Sequence, residues 1–208
     1  MPVREDISAL LDTADRVLVG ITGPPGAGKT TLARTLVDDF SSTLGADTVG
    51  YVPMDGFHLS NAVLDRLGRR DRKGAPDTFD AAGFVATLQR IADGHETVYV
   101  PDFDHTGGEP IAESLVVPTS ARLVIIEGNY LGLDEPGWDG VRPLLHRLVF
   151  VDAGAEVRRE RLLQRHMAAG KTEVKSRLRS WNTSLRWKKS PARSSVTRRI
   201  LSSFQFVQ

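Results

Sequence analysis

Short apolar stretches alternate with amphipathic stretches along most of the chain. Five stretches rich in Val, Ile and Leu predict buried β-strands: 16–22, 48–54, 97–103, 122–126 and 147–151. Apolar residues at helical spacing predict α-helices at 4–15, 29–40, 80–93 and 155–169. Strands that alternate with helices are typical of an α/β fold in which a parallel β-sheet carries helices on both faces.

The segment 55–78 interrupts this alternation. It contains Gly56, Gly68, Gly74 and Pro76 among many charged residues, which predicts a long irregular loop. Long loops inside compact domains often carry function, so we expect part of a binding site here.

Composition agrees with an ordinary globular domain. The chain has 208 residues, of which 40% are hydrophobic and 25% charged. It has no cysteine, which excludes a disulfide framework, a cysteine-based zinc site and a cysteine nucleophile. It lacks a signal-like start and any apolar run of about 18 residues, so we expect a cytoplasmic protein without a membrane partner.

Charge is unevenly distributed behind the net value of +1. Residues 171–208 hold ten of the 27 Lys and Arg but one of the 26 acids, which leaves 17 basic and 25 acidic side chains in residues 1–170. We therefore separate a domain at 1–172 from an atypical basic tail at 173–208. Leu178, Trp181 and Leu185 have helical spacing, so the tail is either a basic amphipathic helix or the product of a changed reading frame.

The strongest motif is Gly23-Pro-Pro-Gly-Ala-Gly-Lys-Thr30, which matches G-x-x-x-x-G-K-[ST] between a predicted strand and a predicted helix. Such a P-loop turns successive amide groups around a polyphosphate, so we predict that it binds ATP. Its predicted contacts are Gly23, Pro24, Pro25, Gly26, Ala27, Gly28, Lys29, Thr30 and Thr31. Lys29 would bridge the β- and γ-phosphates, and the Thr30 hydroxyl would ligate Mg²⁺. The alternative is a glycine-rich turn that only caps a helix.

Two carboxylates follow predicted strands of the same sheet. Carboxyl ends of parallel strands border the ligand crevice, so Asp55 is expected beside the P-loop, where it can act as a general base. Glu127 should lie at the same edge and either hold Mg²⁺ or bind the acceptor. The alternatives are that Asp55 is a turn residue before Gly56 and that Glu127 caps the next turn.

Two absences narrow the class of P-loop protein. The strand ends in Glu127-Gly128 rather than in the Asp-Glu pair of motor ATPases, and no Asn-Lys-x-Asp guanine reader occurs. Both absences favour a small-molecule kinase over a motor or a GTPase.

Further segments complete a resemblance to the superfamily of phosphoribulokinase, uridine kinase and bacterial type I pantothenate kinase. Besides the P-loop, the segments that carry it are Met54-Asp-Gly-Phe-His58, Arg72-Lys-Gly-Ala-Pro-Asp-Thr-Phe-Asp80, Pro101-Asp-Phe-Asp-His105 and Glu127-Gly-Asn-Tyr130. The chain looks closest to bacterial proteins labelled nucleoside kinase or fructose-transport kinase. The resemblance covers about residues 15 to 172 and implies a P-loop NTPase fold with a small helical lid.

The resemblance also implies roles for individual residues. Asp55 would be the catalytic base, and the acceptor pocket would be bordered by Arg72, Lys73, Asp104 and His105. Independently, two basic residues in a loop that faces a carboxylate edge suggest an anionic or polyhydroxyl ligand, although the same pair also suits a solvated loop. His58 and His105 either bind substrate or stabilise turns.

The predicted helix 155–169 carries Arg158, Arg161 and Arg165 on one face. Arginines over a P-loop stabilise charge on the transferred phosphoryl group, and a mobile lid excludes water. We expect Arg161 and Arg165 to contact phosphate, against the alternative of a solvated basic face.

Together these observations predict an enzyme that transfers the γ-phosphoryl group of ATP to a hydroxyl of a small molecule such as a sugar, a nucleoside or pantothenate. The alternative is a nucleotide-binding regulatory protein without acceptor phosphorylation. Nucleic acid is not an expected partner of the mildly acidic body of the chain, and binding of nucleic acid or a membrane surface by the basic tail is a weaker alternative. Self-association stays open.

Overall fold

The computed structural model of the protein describes residues 2–168 and 206–207. Its centre is a parallel sheet in the order β2-β5-β1-β6-β7. The strands are β1 (Val17–Thr22), β2 (Val49–Pro53), β5 (Leu123–Glu127), β6 (Arg147–Val151) and the two-residue β7 (Phe206–Val207). The predicted α/β class and four of the five predicted strands are therefore confirmed in this sheet. Residues 169–205 and 208, which include all of the predicted tail 173–208 except Phe206 and Val207, lie outside the described residues.

The two faces of the sheet are covered by separate apolar clusters, because successive side chains of a strand point to opposite faces. On one face, Val19, Ile21 and Ile125 pack with helices α1 (Pro2–Leu11) and α2 (Lys29–Leu44). On the other face, Leu18 and Val124 pack with helix α4 (Ala81–Asp93). Every residue of β1 and β5 is buried, as expected of strands covered on both sides.

Helix α4 begins and ends where its sequence indicates. The Asp80 side chain accepts a hydrogen bond of 2.8 Å from the Gly83 amide and so satisfies one of the free N–H groups of the first turn. Gly94 ends the helix in the left-handed region. The predicted helix 80–93 is therefore confirmed, with Asp80 as the capping residue that precedes the first helical residue.

The predicted strand 97–103 is real, but its assignment to the parallel sheet is wrong. It forms β3 (Val98–Asp104), which pairs antiparallel with β4 (Glu109–Val117) in a separate two-stranded sheet. This β3–β4 hairpin packs on β2, where a Cβ on Gly50 would lie 2.9 Å from the Val117 side chain. A strand at 109–117 was not predicted.

The segment 55–78 is more regular than a loop. It contains helix α3 (Asn61–Arg66), capped by the Ser60 hydroxyl, together with short 3-10 turns at Met54–Phe57, Arg70–Arg72 and Pro76–Thr78. Helix α5 (Ala155–Ala168) follows β6 as predicted, with residue 169 outside the described part. No helix within residues 2–168 combines the length and apolar character that crossing a bilayer requires.

Candidate active site

The P-loop joins β1 to α2 and has the backbone that phosphate binding requires. Gly26 and Gly28 adopt φ angles of 79° and 102°, which residues with a Cβ rarely reach. The Lys29 side chain is 8% exposed, and its Nζ donates a hydrogen bond of 3.2 Å to the carbonyl of Pro24. The loop therefore curls around the amine, in a conformation that fits a polyphosphate.

Glu127 lies beside the loop at the carboxyl end of β5, with 6% of its surface exposed. The Thr30 hydroxyl donates to its Oε1 over 3.1 Å, and the Tyr51 phenol donates to the same oxygen over 3.3 Å. Burial raises the pKa of Glu127, and the charge of Asp55 raises it further, whereas Lys29 opposes the shift. Burial and the Glu127 charge also raise the pKa of Tyr51, so this phenol stays protonated.

The predicted metal ligands Thr30 and Glu127 are thus neighbours and offer the hard oxygen atoms that Mg²⁺ prefers. Within the described residues, no group of three or more His, Cys, Asp and Glu could hold a metal ion. The pair Thr30 and Glu127 fits Mg²⁺, because in nucleotide sites this ion takes most of its ligands from phosphate and water.

Asp55 lies directly after β2 in the turn Met54–Phe57, and it is half-buried. Pro53, the last residue of β2, pairs with Glu127 across the sheet. Gly56 lets this turn approach the hairpin, since a Cβ there would lie 2.6 Å from the carbonyl carbon of Pro101. Asp55, Glu127 and the P-loop consequently share one edge of the sheet, as the sequence predicted.

His58 is held firmly beside Asp55. Its ring lies 4.0 Å from Phe79 and 4.7 Å from Phe103, centroid to centroid. Its Nδ1 is 2.8 Å from the carbonyl oxygen of Asp55, which only accepts, so Nδ1 carries the proton. Burial lowers the pKa of His58 and favours the neutral ring. His105 is exposed and packs edge-on against Phe103, so the two histidines lie on one aromatic cluster.

The predicted pair Arg72 and Lys73 divides between two environments. Arg72 is exposed and forms an ion pair with Asp77 of its own loop. Lys73 is 9% exposed, and its Nζ donates to Asn61 Oδ1 over 2.7 Å and to the Gly108 carbonyl over 2.5 Å. Lys73 therefore ties the segment 72–80 to α3 and to the hairpin, whereas the ion pair of Arg72 stays within its own loop.

Turns at the site are held by side-chain hydrogen bonds, one of them from the predicted pocket residue Asp104. Asp104 accepts from the Thr106 amide over 2.8 Å and so builds the tip of the hairpin. Glu109 accepts from the Asn61 amide with both oxygens, over 3.1 and 3.0 Å. The Tyr130 hydroxyl donates to the Gly74 carbonyl over 2.7 Å. The Asp104 contact is a local turn, whereas the contacts of Glu109 and Tyr130 join segments that are distant in the sequence.

Helix α5 packs on the P-loop. Leu162 is 1% exposed, and its Cγ would lie 3.2 Å from a Cβ on Gly26. A guanidinium nitrogen of Arg161 lies 3.4 Å from the carbonyls of Gly26 and Ala27. Arg158 turns away, donating over 2.9 Å to the carbonyl of Ala153. Arg161 is thus placed where a lid arginine was predicted, whereas the side chain of Arg165 lies outside what the structure describes.

Three features together define a P-loop kinase. They are the P-loop with its lysine, a buried carboxylate on the neighbouring strand of the sheet, and a helix that places an arginine over the loop. The chain matches the profile of the phosphoribulokinase / uridine kinase family over residues 18–187, and it belongs to this family. The match reaches past residue 172, where the resemblance was predicted to end.

Individual relatives support the same family. A Schizosaccharomyces pombe protein provisionally named uridine kinase C227.14 is 36% identical over 168 residues, which cover 77% of this chain and 71% of that protein. YggC of Escherichia coli is 36% identical over 157 residues, covering 76% of this chain and 65% of YggC. A crystal structure from Silicibacter sp. TM1040, provisionally named a fructose transport system kinase, superposes with a TM-score of 0.76 and 32% identity over 91% of this chain and 95% of that one. The chain is therefore an ATP-binding phosphotransferase of the P-loop kinase type.

Proposed function

We propose that this enzyme transfers the γ-phosphoryl group of ATP to a hydroxyl group of a small molecule, in the presence of Mg²⁺. One observation carries the proposal: the order β2-β5-β1 brings Asp55, Glu127 and Lys29 to one edge of the sheet. A carboxylate beside a phosphate cradle is what a hydroxyl acceptor needs and what nucleotide binding alone does not need.

Each residue at this edge then has a distinct task. The Asp55 carboxylate takes the proton of the acceptor hydroxyl. The hydroxyl oxygen then bonds to the γ-phosphorus of ATP as the bond between that phosphorus and the oxygen of the departing ADP breaks. Lys29 and Arg161 lie where they can balance charge on the phosphate oxygens. Thr30 and Glu127 would hold Mg²⁺, which when bound neutralises charge on the phosphates.

The acceptor would bind between Asp55 and the wall formed by the β3–β4 hairpin and the segment 72–80. His58 offers a hydrogen-bond acceptor at Nε2, because Nδ1 is occupied by the Asp55 carbonyl. Such a wall suits a polyhydroxyl compound, and sugars, nucleosides and pantothenate-like alcohols all qualify. The proposal includes a cytoplasmic location, where ATP is abundant, and a small molecule as partner.

A panel of acceptors tests the proposal. ADP release is measured with sugars, nucleosides and pantothenate, and at least one acceptor should stimulate it well above basal hydrolysis. Asp55→Asn should then reduce phosphoryl transfer by at least about 100-fold and leave ATP affinity intact. Asp93→Asn, at an exposed position in α4, removes the same charge away from the site and should change neither.

Two results would reject this function. No stimulation by any acceptor class, with tight ATP binding, would favour a nucleotide-binding regulatory protein. Equal loss of ATP binding and transfer in Asp55→Asn would make Asp55 a structural residue.

A further inference from the structure

Tyr51 is the one tyrosine of the described residues whose phenol donates to a carboxylate of the site. The chain contains three tyrosines. Tyr99 is 59% exposed on β3, and Tyr130 donates to the backbone of the segment 72–80. Tyr51 lies instead on β2, with its hydroxyl 3.3 Å from Oε1 of Glu127.

The register of the parallel sheet explains this contact. Tyr51 pairs with Ile125, and Glu127 lies two residues further along β5, so both side chains project from the face that α2 covers. Thr30, in the first turn of α2, reaches Glu127 from that same face. The charged groups around Tyr51 are Glu127, Arg34 of α2 and Asp102 of β3.

Two hydroxyl groups donate hydrogen bonds to Glu127, and each of them has only one proton to donate. Thr30 has a single O–H proton, and the structure directs that proton to Oε1 of Glu127. The lone pairs of Thr30 then point away from the carboxylate, as a cation ligand requires. Tyr51 donates a second proton to the same Oε1. Two donors on one oxygen stop the carboxylate from rotating.

We propose that Tyr51 is a positioning residue: its phenol fixes the Glu127 carboxylate, which in turn orients the Thr30 hydroxyl and the face of the site that receives Mg²⁺ with the nucleotide. This inference rests on the proposed function for its catalytic consequence, but its binding consequence can be measured separately. Partners that orient metal ligands without touching the metal change metal affinity when they are lost.

Removal of the phenol oxygen is the test. The dissociation constant of ATP is measured by titration calorimetry in EDTA and again in Mg²⁺, and the ratio of the two values gives the gain due to the ion. In Tyr51→Phe we expect the dissociation constant of ATP in EDTA to stay within about twofold of that of the unmodified protein. The gain in ATP affinity due to Mg²⁺ should fall about tenfold. With an active acceptor, the Mg²⁺ concentration for half-maximal rate should rise, and the acceptor KM should not change.

The other two tyrosines provide matched controls that lose the same atom. Tyr99→Phe should leave every value unchanged, because its phenol lies on the exposed face of the hairpin. Tyr130→Phe should alter the acceptor KM through the segment 72–80 and leave the gain due to Mg²⁺ unchanged. In a Glu127→Gln background, Tyr51→Phe should have little further effect, since the carboxylate through which it acts is gone.

The outcomes separate the inference from the proposed function. A wild-type gain due to Mg²⁺ in Tyr51→Phe would overturn the inference, and so would an equal loss of affinity with and without Mg²⁺. Absence of any such gain in the unmodified protein would overturn it as well. Failure of every acceptor would reject the proposed function alone, because the nucleotide titrations do not involve an acceptor.

Discussion

Replacing Gly56 by alanine tests how closely the Asp55 turn and the β3–β4 hairpin are packed. A Cβ on Gly56 would lie 2.6 Å from the carbonyl carbon of Pro101 and 3.1 Å from the amide nitrogen of Asp102. Carbon atoms are in favourable contact at about 3.5 Å, so the turn and the hairpin must separate by about 1 Å. The atoms met are backbone, so no side chain can rotate to make room.

Two magnitudes follow from that displacement. Overpacking of this kind lowers the free energy of unfolding by about 2 kcal/mol, which for a domain of this size lowers the melting temperature by about 4–8 °C. A catalytic group displaced by about 1 Å loses about 100-fold in rate. Because the P-loop follows β1 and the Gly56 turn follows β2, ATP affinity should stay near that of the unmodified protein.

The assay combines thermal unfolding, nucleotide titration and kcat with an active acceptor. Gly154→Ala is the matched control, since a Cβ on Gly154 meets nothing within 4 Å and its backbone is not left-handed. An unchanged melting temperature with unchanged kcat in Gly56→Ala would refute the close packing. A parallel loss of kcat and ATP affinity would refute the claim that the effect is confined to the acceptor side.

Three further predictions concern buried polar groups. In a denaturant titration, Lys73→Met should lower the free energy of unfolding by about 1–3 kcal/mol, because Asn61 and Gly108 lose their hydrogen-bond donor, and it should also raise the acceptor KM. The ion pair of Arg72 is exposed, so Arg72→Met should lower the free energy of unfolding by less than about 1 kcal/mol. His58 has a lowered pKa, so its contribution to stability is present above about pH 6.5 and falls as the pH drops; His58→Asn should flatten melting temperature against pH in this range, and an unchanged slope would contradict the burial argument. Glu127 has a raised pKa, so its favourable contribution is present below about pH 4.5 and is lost as the pH rises; the nucleotide-free Glu127→Gln protein should melt higher than the unmodified protein at pH 7.5, with a difference that shrinks towards pH 4.5.

The sequence predicted the parallel sheet well because its strands are continuous apolar runs. Buried strands such as Leu123–Glu127 and the P-loop between β1 and α2 leave little choice of structure. The β3–β4 hairpin was harder to predict. Strand β4 begins with Glu109 and Pro110, and most of its residues are exposed, so it shows neither an apolar run nor a clean alternation.

Site residues could be predicted where their position at the end of one strand was enough to place them. They could not be predicted where their contacts depend on how two strands are paired. Asp55 and Glu127 follow their own strands, and parallel pairing alone brings them together. Tyr51 was missed because its contact with Glu127 depends on the register of β2 against β5. The hydrogen bond from Lys73 to the Gly108 carbonyl depends on the hairpin, which the sequence did not reveal.

The two apolar clusters on opposite faces of the sheet have a consequence for how such enzymes diversify. Helix α2, which follows the P-loop, belongs to the cluster on one face. The hairpin, which forms part of the proposed acceptor wall, belongs with α4 to the cluster on the other face. Mutations that reshape the acceptor wall can therefore accumulate without repacking the core beneath the nucleotide. Relatives with names as different as uridine kinase and fructose transport system kinase are what such a division would allow.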